Sequence, residues 1–248
     1  MRLLYLSLAV WACLVTAIHA DDGKPTIRVV ADEWPPFSGA ELPEQGMSLH
    51  VISAVFEHAG YTVVSDVLPW ARIMDGVRRN EYDVVGSLFF DPGLTEFLEY
   101  SQPFYATDVQ LVQRIGGSHS FTSVADLAPH SIAVGDGFLY EDEFDKADYL
   151  NKVTVTTTLQ ALQMVAFGRA DLTLDSVDVV NYAMRTLDPS LDDQLEFVPG
   201  VMTSQEVHMA MRKDFPNRDQ ILSDFNASLQ AMQSDGTLSD ILAVHVDP

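Results

Sequence analysis

The stretch 46-GMSLHVISAVFEHAGYTVVSDVL-68 passes from a helical to a strand pattern without a linker. Its first part carries apolar residues at helical spacing, and Gly60 ends the pattern; these residues are Leu49, Ile52, Val55, Phe56 and Ala59. Its second part, residues 61–68, is rich in β-branched residues and predicts a strand. A helix that leads directly into such a strand is typical of α/β folds, in which helices cover a mostly parallel sheet.

The same alternation continues on both sides of this stretch. Residues 26–31 predict a strand before it, and residues 70–80 and 82–89 predict a helix and a strand after it. This β-α-β-α-β order indicates a parallel sheet covered by helices.

A second series of the same kind follows the glycine pair at residues 116–117. It predicts strands at 131–137, 152–158 and 171–175, an acidic helix to about residue 147, and helices at 159–170 and 176–187. Residues 207–212 predict a further strand, and residues 218–234 predict a helix that ends at Gly236. Two α/β series in a chain of this length predict two lobes.

The first twenty residues have the layout of a secretory signal. Arg2 precedes an apolar run, and small residues lead to a predicted cleavage site before Asp21. An uncleaved membrane anchor is one alternative. A lipoprotein is another, although Trp11 lies where a small residue is wanted before Cys13. Cys13 is the only cysteine and lies inside this predicted signal, so the mature chain should form neither disulfides nor thiolate metal sites. We therefore expect an exported, periplasmic chain.

Acidic residues dominate the charge of the chain. It has 36 aspartates and glutamates against 14 lysines and arginines, which gives a formal net charge of −22. This charge argues against nucleic acid and anionic membrane surfaces as partners, and it favours neutral or cationic small ligands. Solubility of an exported protein would also explain much of it.

Several polar and aromatic residues follow predicted strands, and ligands of open α/β sheets bind at such positions. Trp34 and Phe37 follow the first strand on a proline-stiffened loop, where they could stack on a ligand or pack into the core. At the next helix start, Arg72 could hold an anion or pair with an acid. Asp175 ends a strand of the second series and could receive a cationic nitrogen or cap the next helix.

Motifs for catalysis are absent from the sequence. The histidines show neither H-x-H nor H-E-x-x-H spacing, and there is no G-x-S-x-G. The turn 135-GDGFLYE-141 departs from the dinucleotide fingerprint at Tyr140 and carries acids that would repel phosphate. We therefore expect no catalytic residue, no metal and no cofactor.

Taken together, these segments resemble the bacterial periplasmic solute-binding proteins of the polar-amino-acid type, solute-binding protein family 3. The resemblance rests on D-x-W-P-P-F (32–37), G-M-S-L-H-V (46–51), P-W-A-R (69–72), E-Y-S-Q-P-F-Y (99–105), S-V-A-D-L (123–127), G-R-A-D-L-T-L-D-S (168–176) and D-G-T-L-S-D-I-L (235–242). It implies the type II periplasmic binding protein fold, in which two lobes of mixed, mostly parallel sheet flanked by helices are joined by two crossover strands. The first lobe would comprise residues 21–110 and 206–248, and the second residues 111–205.

The resemblance also implies a ligand site between the lobes. Trp34 or Phe37 would sandwich the ligand with Trp70, Ser87 would supply polar groups, and Asp175 would bind an amino group. The arginine that holds the ligand carboxylate in such proteins is replaced by Leu94, a hydroxyl position by Phe89, and a donor turn by Gly137 and Phe138. The predicted ligand-binding residues are Asp32, Trp34, Phe37, Trp70, Arg72, Ser87, Phe89, Leu94, Gly137, Phe138 and Asp175.

The resemblance leads us to expect a monomeric periplasmic protein that captures a small polar or aromatic amine-type solute for the permease of an ABC-type transporter. Loss of the arginine predicts poor binding of α-amino acids, unless Arg72 substitutes for it. Two alternatives are a cyclohexadienyl dehydratase-like enzyme on the same fold and a ligand-sensing protein for a membrane receptor.

Overall fold

The computed structural model describes residues 24–246. The predicted signal peptide, residues 1–20, lies outside the described residues. Within residues 24–246, no helix combines the length and the apolar character that crossing a membrane requires.

Strands and helices alternate through most of the chain. The strands are β1 (Thr26–Ala31), β2 (Thr62–Val67), β3 (Val84–Leu88), β4 (Leu98–Tyr100), β5 (Tyr105–Arg114), β6 (Ser131–Gly135), β7 (Asn151–Val155), β8 (Leu172–Ser176), β9 (Leu195–Phe197) and β10 (Thr203–Arg212). The helices are α1 (Met47–His58), α2 (Trp70–Arg78), α3 (Asp142–Asp145), α4 (Thr158–Ala166), α5 (Val177–Tyr182), α6 (Arg218–Asp235) and α7 (Thr237–Val246).

Two parallel three-stranded arrays form the two halves of one sheet. In the first half, β1 lies between β2 and β3 and is parallel to both. In the second half, β6 lies between β7 and β8 in the same way. Both arrays occur where the strand and helix patterns predict them, and the α/β fold class is confirmed.

Two long antiparallel strands connect the halves. Residues 105–109 of β5 pair with residues 203–207 of β10. Beyond this paired segment β5 continues alongside β8, and β10 continues alongside β3. The resulting order is β2-β1-β3-β10-β5-β8-β6-β7, and β4 and β9 pair with β10 and β5. This is the predicted two-lobed arrangement with two crossover strands; the lobe boundaries at residues 110 and 206 stay a prediction.

Each half has its own apolar core. In the first, the predicted apolar face of α1 is buried, and Phe56 packs against Phe225 of α6 with ring centroids 4.8 Å apart. In the second, α4 buries Leu162 and Val165 against the sheet. Val179 of α5 joins the core of the first half and so ties α5 to both halves.

The acidic helix predicted to reach residue 147 is limited to the single turn α3. Lys152 from β7 donates hydrogen bonds to the carbonyl oxygens of Phe144 (2.6 Å) and Asp145 (3.0 Å). These carbonyls lie at the carboxyl end of the turn, so the lysine satisfies groups that a longer helix would bond internally. Gly236 ends α6 with a φ of +91°, as predicted, but α7 follows at once.

Candidate ligand-binding cleft

A cleft of about 330 Å³ opens at the ends of strands from both halves of the sheet. Its walls consist of Asp32, Trp34, Trp70, Ser87, Leu88, Phe89, Phe90, Asp91, Leu94, Asp136, Gly137, Phe138, Leu139, Tyr140 and Asp175. Nine of the eleven residues predicted from the sequence lie here. The size corresponds to the lower end of the range for small-molecule sites.

Trp34 forms part of the wall in the first half, on the loop after β1. Its backbone N–H donates to the carbonyl of Ser38 (2.8 Å), and the N–H of Ser38 donates back to the carbonyl of Trp34 (3.1 Å). The indole ring lies edge-on to Phe89 at 5.0 Å and packs on Phe37 at 4.4 Å. This closed loop holds Trp34 at the cleft.

Two predicted site residues do not line the cleft. Phe37 is fully buried beneath Trp34 and also contacts Tyr105, so its ring packs into the core. Arg72 is exposed on α2, two residues after Trp70. Residues two positions apart in an α-helix are rotated by about 200° about the helix axis. Because Trp70 lies at the cleft, Arg72 is directed away from it. The structure gives no support for Arg72 as a substitute for the missing arginine.

Ser87 and Leu94 bound the turn that leaves β3. Ser87 is buried, has a φ of +61°, and donates a hydrogen bond to the hydroxyl of Ser48 at the start of α1 (3.1 Å). This left-handed conformation, rare for a residue other than glycine, lies one residue before the end of β3, and the residues from Leu88 to Asp91 that follow it line the cleft. Leu94 ends the one-turn helix Pro92–Leu94, which Asp91 caps by accepting the N–H of Gly93 at 2.7 Å. An alkyl side chain therefore occupies the wall where an arginine was expected from the resemblance.

The turn after β6 forms the opposite wall. Gly137 has a φ of +73°, which an L side chain rarely adopts. A Cβ at Gly135 would lie 2.4 Å from the ring of Phe138, so a larger residue there would displace this ring of the cleft wall. The hydroxyl of buried Tyr140 accepts the N–H of Gly135 at 2.8 Å and holds the base of the turn together.

Sequence reasoning did not select several cleft residues of these turns, notably Asp91, Asp136, Leu139 and Tyr140. Three of them belong to the stretch 135-GDGFLYE-141, in which only Gly137 and Phe138 were predicted to bind the ligand. Their position directly after β6 was the signal that could have identified them.

Asp175 is the most deeply buried carboxyl group of the cleft. It is 4% exposed, and it accepts hydrogen bonds from the N–H of Ser176 (2.7 Å) and the hydroxyl of Thr158. Burial raises its pKa to about 6, although both hydrogen bonds act to lower it. The residue at the N-cap of α5 is Ser176, so Asp175 does not occupy the capping position.

Asp32 is the corresponding group in the first half. Its side chain is only partly shielded from solvent, but the cleft walls surround it, and desolvation raises its pKa to about 6. A positive group placed beside Asp32 or Asp175 would favour the charged form that burial disfavours.

The cleft is acidic and aromatic in its chemistry. Four aspartates line it, at positions 32, 91, 136 and 175, and none of its described wall residues is lysine, arginine or histidine. Residues 24–246 hold no cluster of three or more histidine, aspartate or glutamate side chains suited to a metal ion. The arrangement can bind a cation and offers a carboxylate no basic side chain among its described wall residues.

Comparison with solved structures shows the same fold in proteins of low sequence identity. A histidine kinase sensor domain with similarity to periplasmic binding proteins is 19% identical, with a TM-score of 0.77 over 90% of this chain and 96% of that one. The GluR0 ligand-binding core from Nostoc punctiforme, in complex with L-glutamate, is 16% identical, with a TM-score of 0.73 over 90% of this chain and 100% of that one. An ancestral arginine-binding protein bound to arginine is 21% identical, with a TM-score of 0.72 over 88% of this chain and 97% of that one.

No curated protein sequence matches the chain significantly. The family model for bacterial extracellular solute-binding proteins, family 3, matches residues 27–247. That match covers nearly the whole of the described chain, including every residue of the cleft. The chain therefore belongs to the bacterial extracellular solute-binding proteins of family 3.

Proposed function

We propose that the protein captures a small amine, positively charged and without a free carboxylate, in the cleft between its two halves. The observation that carries this proposal is the charge of the cleft, which has four aspartates and no basic residue among its described wall residues.

The carboxylates favour an ammonium group and oppose an acid. Asp175 already accepts two hydrogen bonds, and a carboxylate has about four acceptor positions, so it retains capacity for an ammonium donor. A ligand carboxylate would instead lie among aspartates, and Leu94 offers it no hydrogen bond. We therefore expect amines to bind more tightly than the α-amino acids that contain the same side chain.

The aromatic residues suit the rest of an amine ligand. Trp34 and Trp70 in the first half and Phe138 in the second all line the cleft. Ring faces attract cations, and they also pack against apolar groups. Trp70 is 40% exposed and Phe138 is 36% exposed, so both rings have surface that a ligand could cover.

Calorimetric titration with 2-phenylethylamine and L-phenylalanine tests this proposal, because the two compounds differ only by the carboxylate. We expect the amine to bind at least tenfold more tightly. Asp175→Asn should weaken amine binding, whereas Asp193→Asn removes one exposed acid outside the cleft and should leave it unchanged. Equal or tighter binding of phenylalanine would contradict the proposal.

We propose that this protein is a monomer of the periplasm without enzymatic activity, and that it delivers its ligand to the permease of an ABC-type transporter. Family membership supports an extracytoplasmic binding protein. The test is uptake of a labelled amine by cells with and without the gene, together with size-exclusion chromatography of the mature protein. Unchanged uptake would contradict a transport role.

A sensing role is the second candidate. It is favoured by the similarity to the histidine kinase sensor domain, which covers 90% of this chain. In that case loss of the gene should abolish amine-dependent transcription and leave uptake intact. A neighbouring gene for a receptor kinase instead of a permease would agree with this result.

A further inference from the structure

We propose that the ligand is a small organic dication, with two ammonium or amidinium groups joined by an apolar spacer, one bound by Asp32 and the other by Asp175. This inference rests on the proposed function and specifies the class of amine.

The two carboxylates lie on opposite halves of the molecule. Asp32 follows β1 in the first half, and Asp175 lies within β8 in the second, yet both line the same cleft. No lysine or arginine within residues 24–246 forms an ion pair with Asp32 or Asp175. Each half therefore brings to the cleft an acid that has no basic side chain as its partner.

Asp32 is the less satisfied of the two. Its backbone carbonyl accepts the hydroxyl of Ser38 at 2.7 Å, but among the described residues no other residue donates to its carboxylate. Asp175 is deeply buried and has two donors, so it needs fewer bonds from a ligand. Asp32 is thus free to accept hydrogen bonds from one complete ammonium group.

A single positive charge would leave this site unbalanced. When one ammonium group binds one carboxylate and displaces water, the second carboxylate is left without solvent or a positive counter-charge, which is costly. It must then either take up a proton or meet a second positive charge. Asp136 and Asp91 also line the cleft and add negative potential, which favours the second positive charge.

The cleft that holds the two acids also has apolar surface suited to a spacer. Apolar and aromatic side chains from both halves provide it, namely Trp34, Trp70, Phe89, Leu94, Phe138 and Leu139. A hydrocarbon or aromatic spacer would be buried here, and the rings would also attract the charged ends. The positions of Phe89 and Leu94, apolar where polar groups were expected from the resemblance, agree with this requirement.

The test uses a series of α,ω-diaminoalkanes from propane to octane, each paired with the monoamine of equal length. Calorimetric titrations at pH 7.5, in two buffers of different ionisation enthalpy, measure affinity and proton uptake together. We expect the best diamine to bind about ten- to hundredfold more tightly than its monoamine, because a charge-assisted hydrogen bond contributes on that scale. Its binding should take up no proton, because both carboxylates then have a positive partner.

Variants assign the two ends of the ligand. Asp32→Asn should remove most of the advantage of the diamine over the monoamine, and Asp193→Asn should preserve it. Circular dichroism of each variant checks that the fold is retained. If every diamine bound no better than its monoamine, or if a monoamine bound equally well by taking up a proton, the dication proposal would be overturned while amine binding stood. If no amine bound, the proposed function itself would fail.

Discussion

Replacing Asp175 by asparagine should stabilise the folded protein at neutral pH. The pKa of this carboxyl group is about 6 in the folded state, against an ordinary value of 3.8. A raised pKa of an acid means that the folded state binds the proton more tightly than the unfolded state does. The group therefore costs no stability below pH 3.8, costs progressively more between pH 3.8 and 6, and has its full effect above pH 6.

The size of this effect follows from the two pKa values. A difference of about two pKa units corresponds to about 3 kcal/mol, as an upper limit. Asparagine removes this cost but weakens the hydrogen bonds from Thr158 and Ser176, which contribute about 1 kcal/mol. We expect the free energy of unfolding to rise by about 1–2 kcal/mol at pH 7.5 and to fall by about 1 kcal/mol at pH 3, where the carboxyl group is protonated in both the folded and the unfolded state.

Urea denaturation of the ligand-free protein at the two pH values measures this change of sign. Asp193→Asn, at an exposed position, is the control and should change the free energy of unfolding by less than about 0.5 kcal/mol at either pH. Equal destabilisation by Asp175→Asn at both pH values would refute the reasoning, because it would mean that Asp175 carries no desolvation cost. The expected result would show that the cleft keeps an unfavourable charge for the sake of its ligand.

Three further substitutions test the cleft and its surroundings. Leu94→Arg should raise the affinity for L-phenylalanine about tenfold or more and lower that for 2-phenylethylamine, measured by calorimetry; no gain for the amino acid would contradict the placement of this residue in the cleft. Trp70→Ala should weaken amine binding about tenfold and change the free energy of unfolding by less than about 1 kcal/mol, because the ring is 40% exposed. Tyr105→Phe removes a 3.1 Å hydrogen bond to Asp178 and should cost about 1 kcal/mol in urea denaturation, whereas Tyr149→Phe, at a ring 58% exposed, should cost nothing.

The fold was predictable because its determinants are local. The helical spacing of Leu49, Ile52 and Phe56 and the β-branched run that follows them indicate α1 and β2 directly. Since the strand ends of an α/β sheet meet at one edge, reading the residues after each strand also found most of the cleft wall. The pairing of β5 with β10 was inferred from the family resemblance, since long-range pairing leaves little local pattern.

The two predicted site residues that lie outside the cleft wall, Phe37 and Arg72, could not be judged from the sequence because their side-chain directions depend on tertiary packing. Trp34 and Phe37 share one loop, and the backbone closure between residues 34 and 38 places the first ring at the cleft and the second in the core. Arg72 is exposed on α2 and lies away from the cleft. Both outcomes depend on the angle at which a loop or a helix joins the sheet, which three-dimensional packing determines.

The two crossover strands have a mechanical consequence for ligand capture. Both connections between the halves pass through one narrow ribbon, in which residues 105–109 pair with residues 203–207. Asp178 of α5 accepts hydrogen bonds from Tyr105 and from Thr107 on this ribbon, three residues beyond Asp175. A two-stranded ribbon can bend, but its paired strands resist sliding along each other. The ribbon can therefore act as a single hinge between the two halves. A ligand that bridged Asp32 and Asp175 would therefore hold the two halves at one angle about this ribbon.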